Sequence, residues 1–359
     1  MLEPSVAHPP ARAWTAVAVL FVGAVSSGWL ALAMLVRVVP ALFPGQSLPL
    51  AEALPVTPPG IEAPGADSVF NRPIVVLLAA VDSRPGQSSS LATVNTDTIM
   101  LARIDPVAKD IRVLSVPRDL LLDVTYKDGS TGAERINSSF AQVAGRRGAP
   151  AGMANLSSDL ERDLGISIDY WVMVDFRGAE RLIDALGGID LVIPDELSVA
   201  NWWYSDDDVT HRLLSFPAGP QHLDGYHAVA FARLRAPDDD LHRIKRQQLV
   251  LEAAMAQAFS GGAMNDPLGL WNAYGSAFKT NLPTARLPGY ALLAKQTRGT
   301  LTTYSLADPV NGAPAVTDRT LKSGAEVLVA VPEALRYWVD VVFGSPGAEE
   351  AGSVAKSSP

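Results

Sequence analysis

The sequence predicts an α/β fold, a layered sandwich in which a central, mainly buried β-sheet is flanked by helices, preceded by one N-terminal transmembrane helix. Three observations predict it: short and nearly unbroken apolar runs, helical patterns alternating with them, and a long uncharged segment close to the N-terminus. Alternation of strands and helices implies sheet and helix layers around one core. Residues 1–12 form a short tail. From Ala13 to Val36 no charged residue occurs, and Arg12 and Arg37 bracket the run. At about 1.5 Å rise per residue it spans a hydrocarbon core of about 30 Å. A cleaved signal peptide is the rival reading, because Ala31-Leu32-Ala33 has the small-x-small cleavage pattern. The short tail favours an extracytoplasmic domain. Residues 37–70 are a Pro-rich, semi-rigid extracytoplasmic linker, with Pro40, Pro44, Pro49, Pro55, Pro58, Pro59 and Pro64. Residues 71–343 make one domain, and residues 344–359, small and polar, a disordered tail.

Within the domain, Ile74 to Val81 is continuously apolar, as in a strand covered on both faces. Further strands are expected at Thr98 to Ile104, Ile111 to Val116, Tyr170 to Val174, Ile189 to Ile193, Thr302 to Leu306 and Val327 to Val331. Helices are expected from Met153 to Leu164, from Phe176 to Leu186 with Gly187-Gly188 as its stop, from Asp240 to about Phe259, from Leu287 to Gln296, and from Pro332 to Phe343.

The composition narrows the chemistry. With no cysteine, a disulfide framework, a thiol nucleophile and iron-sulfur sites are excluded, and five histidines leave little for a multi-histidine metal cage. Lys and Arg total 29 against 38 Asp and Glu, a net charge of -9, which argues against nucleic acid as a partner. What remains is carboxylate, hydroxyl and guanidinium, gathered locally.

Val81-Asp82-Ser83-Arg84 closes the first strand, and ligands of open α/β sheets collect beyond strand carboxyl ends. Asn95-Thr96-Asp97-Thr98 opens the second strand; Asp82 and Asp97 together could share a hard cation through oxygen ligands. Ser115-Val116-Pro117-Arg118-Asp119 closes the third, so charged residues cluster at three neighbouring strand ends. Arg233 and Arg235, if their segment is extended, point to one face. Arg243, Arg246 and Gln247 stand at i, i+3, i+4 and share one helical face. Converging guanidiniums in an acidic protein suit an anion with several oxygens, such as pyrophosphate, while Asp238, Asp239 and Asp240 would neutralise a merely solvated face.

In this order the pieces resemble the LytR-CpsA-Psr family of cell-wall glycopolymer transferases. They are Leu77 to Arg84, Thr96 to Leu101, Ser115 to Asp119, Arg135-Ile136-Asn137, Asp184 to Ile189, Leu223-Asp224-Gly225 with Ala228 to Arg235, and Asp240 to Gln247. The resemblance implies a hydrophobic pocket for a polyprenyl chain with a charged mouth for its pyrophosphate. It also implies transfer of a glycan from that polyprenyl-pyrophosphate carrier to a cell-wall acceptor hydroxyl, commonly of peptidoglycan. By the same resemblance Asp82 and Asp97 hold Mg2+, Arg118, Arg233, Arg235, Arg243, Arg246 and Gln247 contact the pyrophosphate, and Asp82, Arg118, Arg233 and Arg235 are catalytic. Cleaving the sugar-phosphate linkage leaves charge on a pyrophosphate leaving group, and that developing charge is what Mg2+ and arginines stabilise. Asp119 and Asp240 are the candidates for activating the acceptor hydroxyl.

The sequence departs from the family pattern at Ala80, often Gly, at Asn95-Thr96, often Arg-Ser, and at His242, often Gly. Arg84 or Arg103 is available to supply the charge absent at position 95. A polyprenyl-pyrophosphate hydrolase using the same residues, and a non-catalytic prenyl-phosphate-binding or regulatory module, are the alternatives. Phe140, Trp171 and Phe176 are expected in the core.

Overall fold

The computed structural model describes residues 72–81, 91, 94–202, 212–234, 240–260, 278–283 and 301–344. The membrane segment, the Pro-rich linker, the helix from Leu287 to Gln296 and the C-terminal tail lie outside them. Among the described residues no helix is long and apolar enough to cross a membrane. The chain divides into two compact units, residues 1–71 with 282–296 and residues 72–281 with 297–359. The fold below is that of the second.

Three strands open it: β1 (Ile74–Val81), β2 (Thr96–Asp105) and β3 (Asp110–Ser115). A hairpin, β4 (Leu121–Thr125) and β5 (Thr131–Arg135), leads through a short 3-10 turn (Ile136–Ser138) into helices α1 (Ser139–Arg147) and α2 (Ala149–Leu164). Then come β6 (Tyr170–Asp175), α3 (Phe176–Ala185), β7 (Ile189–Ile193), β8 (Leu197–Trp202), β9 (Arg212–Phe216) and β10 (Gly219–Leu223). Helices α4 (Gly225–Arg233) and α5 (Asp240–Ser260) follow, then β11 (Phe278–Thr280), β12 (Leu301–Ser305), β13 (Val316–Thr320), β14 (Glu326–Ala330) and α6 (Pro332–Phe343).

Six strands form the central sheet in the order β11-β6-β1-β2-β3-β12. It is mixed: β1 and β3 run antiparallel to β2, whereas β6 runs parallel to β1 and β12 parallel to β3. Side chains alternate between its faces. Leu77, Ala79, Ile99, Leu101 and Leu114 face a core shared with Phe140, Met153 and Leu156 of α1 and α2 and Val341 and Val342 of α6. From the opposite face Met100, Ala102, Ile111 and Val113 meet Leu251 and Met255 of α5. Both faces are covered, which is why β1 and β2 are apolar almost without a break. Each fully buried leucine here contributes about 1.5–3 kcal/mol relative to an exposed one. A second core gathers Phe176 and Ile183 of α3, Ile189 and Leu191 of β7, and Ala228 to Phe231 of α4.

Helix α3 starts where expected because Asp175 caps it, its carboxylate accepting from Gly178 N at 2.6 Å. It stops at Gly187 and Gly188, both at positive φ, where Gly188 N reaches back to Ile183 O at 2.9 Å. The β4–β5 hairpin and α1 are not evident in the sequence. One buried carboxylate holds them together: Asp159 of α2 accepts from the Thr125 hydroxyl at 2.6 Å, Thr125 N at 3.1 Å, the Ser139 hydroxyl at 2.5 Å and Arg162 at 3.0 Å.

Candidate functional site at the charged end of the sheet

Strand direction brings the carboxyl ends of β1, β3, β6 and β12 and the start of β2 to one end of the sheet. Ala80 pairs with Thr98 and Val81 with Thr96, so Asp97 is the extra residue of a β-bulge. Bulges re-aim side chains. Asp97 here meets Arg118, just beyond the end of β3, with Nη1 to Oδ1 at 2.5 Å. The same guanidinium lies beside Asp119, Nε to Oδ2 at 3.3 Å, and Arg135 approaches the other oxygen of Asp119 at 3.6 Å. The three side chains of the Asp97–Arg118–Asp119 group are only 13–21% exposed. A charge cluster this sheltered is screened less than a surface pair, so its attraction for an anion or cation is felt more strongly.

Backbone bonds clamp the loop that carries Arg118. Val116 N extends the ladder to Ile99 O at 2.9 Å, Ile136 N donates to Leu120 O at 2.9 Å, and Asn137 N donates to Arg118 O at 3.1 Å. The Thr96 hydroxyl, fully buried, donates to Asn137 O at 3.3 Å. The Thr-Asp, Pro-Arg-Asp and Arg-Ile-Asn pieces are thus tied into one unit, and Arg135-Ile136-Asn137 acts through its backbone as a clasp.

An extended backbone does not hold at Arg233, while Arg235 lies outside the described residues. Arg233 is the last residue of α4, a helix nucleated by Asp224, whose carboxylate accepts from His227 N at 2.8 Å. Partial burial would raise the Asp224 carboxyl pKa, but the backbone N–H and ring of His227 outweigh it and hold the group below its ordinary value. Gly225 is required because a Cβ there would lie 2.1 Å from Glu180 O of α3. From the end of α4 the Arg233 guanidinium stacks on Phe176, 4.1 Å from the ring centroid. Phe176 directly follows Asp175, which pairs beside Val81 at the charged end of the sheet. Phe140, Trp171 and Phe176 are all buried, as expected of core residues.

On α5, Arg243 and Arg246 are buried, Gln247 is half-buried, and the neighbouring His242 and Lys245 are exposed, which places the first three on one inward face. Arg246 donates to Leu234 O at 2.5 Å, fastening the chain just after Arg233. Gln248, not singled out in the sequence, joins α5 to the sheet end: its amide donates to Ser115 Oγ at 3.0 Å and Tyr304 O at 2.8 Å. The signal was present, since Gln248 interrupts the apolar stripe Ile244, Leu251 and Met255, and a buried amide there needs partners.

Asp97, Arg118 and Asp119 are therefore in direct contact, and the elements bearing Arg233, Arg243, Arg246 and Gln247 are pinned to the same sheet end through Phe176 and Gln248. Arg103 does not belong there. It is buried near the other end of β2, with Nη2 to Asp105 at 2.6 Å and Nη1 to Asp110 at 3.5 Å. Asp82, Arg84, Arg235 and the side chain of Asp240 lie outside the described residues. Among the described residues no group of three or more histidines and carboxylates gathers in metal-binding geometry.

Comparison with known proteins now decides the family. The model of the LytR_cpsA_psr family matches residues 63–316, spanning every site motif above. The chain belongs to the LytR_cpsA_psr family. Among curated relatives it is 32% identical over 161 residues to the polyisoprenyl-teichoic acid–peptidoglycan teichoic acid transferase TagV of Bacillus subtilis, covering 44% of this chain and 37% of TagV. To the regulatory protein MsrR of Staphylococcus aureus it is 29% identical over 192 residues, covering 51% of this chain and 50% of MsrR. The chain thus matches half or less of the length of these relatives. The crystal structure of protein gbs0355 from Streptococcus agalactiae superposes with a TM-score of 0.62 at 19% identity, over 76% of this chain and 87% of that one. At that identity the likeness establishes the fold: a family-type α/β sheet flanked by helices.

Proposed function

We propose that this LytR_cpsA_psr family member is a membrane-anchored phosphotransferase-type enzyme that moves a glycan from a polyprenyl-pyrophosphate carrier to a cell-wall acceptor hydroxyl, that of peptidoglycan. The observation that carries the reading is the sheltered Asp97–Arg118–Asp119 group at the sheet end to which α4 and α5 are fastened. TagV, a relative named for teichoic acid transfer to peptidoglycan, supports the same class. Ala13 to Val36 is the anchor, and the domain is extracytoplasmic.

In this reading Arg118, Arg233, Arg235, Arg243, Arg246 and Gln247, with Arg84, bind the pyrophosphate. The acceptor oxygen forms a bond to the sugar-side phosphorus, the bridging P–O bond breaks, and the lipid leaves as its monophosphate. Asp119 or Asp240 takes the hydroxyl proton. Guanidiniums fixed in advance, as Arg118 is by two carboxylates and Arg233 by Phe176, stabilise the leaving charge without reorganising. The donor set suits Mg2+, which takes one or two carboxylates and completes its shell with water and substrate phosphate oxygens. Asp97 and Asp82 would each supply a carboxylate. When bound, the ion would neutralise phosphate charge.

A regulatory binding module is the second reading, favoured by the name of MsrR. Mass spectrometry of lipid bound to the purified full chain tests the site: a polyprenyl phosphate or pyrophosphate should accompany the wild type and be absent from Arg233→Ala. Equal lipid in both would remove Arg233 from the site. Asp97→Asn should abolish stimulation by Mg2+, and a variant still stimulated would refute the metal role.

A further inference from the structure

Away from the charged sheet end, a cleft of about 470 Å³ opens between the turn of the β4–β5 hairpin and helices α1 and α2. The five residues of β4 carry the chain about 17 Å from the Arg118 loop to that turn. The cleft is lined by Lys127 of the turn and by Arg146 and Arg147 of α1, all exposed, with Tyr126, Gln142 and Ser158 among its other polar groups. Arg146 and Arg147 make no ion pair among the described residues. The single lining carboxylate, Asp128, is occupied by its own turn, its Oδ1 accepting from Ser130 N at 3.0 Å and the Ser130 hydroxyl at 2.6 Å. Three cations against one anion therefore face one concavity in a protein of net charge -9.

Helix electrostatics explains part of this, since cations are favoured in the last turn of α1. It does not explain Lys127, which arrives from a different element, or a concavity between them. The volume equals that of about sixteen waters at about 30 Å³ each, more than a lone small anion fills. It falls within the range of about 300–1,000 Å³ typical of ligand sites. The lining mixes hydroxyl, amide and guanidinium groups with the apolar side chains of Val143, Ala151 and Ala154, and one tyrosine offers an apolar ring face and a polar tip. Such a lining suits a hydroxyl-rich chain bearing repeated negative charges, and the planar guanidinium fork accepts carboxylate or phosphate equally well.

We propose that this cleft binds a segment of an acidic saccharide or polyol polymer, at a site separate from the charged sheet end. The binding does not depend on the reaction proposed there, and the test uses no lipid donor. The full chain in neutral detergent is titrated calorimetrically with hexagalacturonate, with a glycerol-phosphate hexamer, with the neutral maltohexaose and with inorganic phosphate. At least one anionic hexamer should bind ten-fold or more tightly than maltohexaose and inorganic phosphate, and more weakly as salt rises. Which hexamer binds identifies the anion. Arg146→Gln with Arg147→Gln, an exposed pair whose neutralisation leaves the core untouched and puts no anion at the C-terminus of α1, should weaken that binding at least ten-fold while thermal unfolding stays within about 5 °C of wild type. Equal binding by wild type and the double variant would overturn the proposal. So would equal affinity for the neutral hexamer, for inorganic phosphate, or no binding of either anionic hexamer.

Discussion

Replacing Arg118 by alanine removes the central cation of the Asp97–Arg118–Asp119 group. In the free protein the guanidinium engages Asp97 at 2.5 Å and lies 3.3 Å from Asp119. Its loss leaves Asp97 without this partner, whereas Asp119 keeps Arg135 at 3.6 Å. Both carboxylates retain about a fifth of their exposure, so water partly replaces the lost contacts, and the stability cost should be about 1–3 kcal/mol. Donor binding suffers more. A hydrogen bond to a charged group contributes about 1.5–3 kcal/mol, so losing one arginine contact to pyrophosphate should weaken binding about 10- to 150-fold. The Asp97 carboxylate, left near the phosphate without its guanidinium, pushes toward the upper part of that range. The assay is titration of the full chain with a short prenyl pyrophosphate and Mg2+, with circular dichroism confirming the fold. Wild-type affinity in a folded Arg118→Ala variant would refute the assignment of Arg118 to the anion site.

Three further outcomes are expected. Gln248→Leu should cost about 1–3 kcal/mol in denaturant unfolding, because Ser115 Oγ and Tyr304 O lose a buried donor, and it should also lower affinity for prenyl pyrophosphate by loosening α5 from the sheet end. Gly225→Ala should cost about 1–3 kcal/mol or more by thermal unfolding, since the new Cβ meets the backbone oxygen of Glu180 and forces α3 and α4 apart. At Asp105, burial works to raise the carboxyl pKa, but hydrogen bonds from Ala108 N and Val107 N and the Arg103 charge outweigh it and hold the pKa below its ordinary value. The stability this confers is full above the unfolded pKa of about 4 and is lost as pH falls through the folded value. The stability gap between wild type and Asp105→Asn should therefore narrow on acidification, and a constant gap would contradict this.

The sequence revealed those elements whose surroundings leave little freedom. A sheet covered on both faces needs apolar runs, so β1 and β2 stood out, and a capped helix ending in two positive-φ glycines was equally plain in α3. The shared face of Arg243, Arg246 and Gln247 followed from helical spacing alone. What stayed hidden depends on contacts distant in sequence. The partly exposed hairpin β4–β5 carries little hydrophobic period, and Asp159 fixes it from a helix some thirty-four residues away. The helical state of Arg233 was hidden because the capping Asp224 lies nine residues upstream and the tripeptide Arg-Leu-Arg carries no helical signature. Arg103 looked available for phosphate only because linear sequence hides the strand direction that carries it to the far end of β2, where Asp105 and Asp110 hold it.

The most direct test of the central claim is mass spectrometry of both products after incubating the full chain with a polyprenyl-pyrophosphate-linked glycan and Mg2+, with and without peptidoglycan. Transfer predicts polyprenyl monophosphate and a glycan-phosphate bonded to peptidoglycan, both formed only when the acceptor is present. Lipid phosphate released equally fast without the acceptor would show a hydrolase, and no lipid product in either case would show a binding module. Either result would contradict the transferase account.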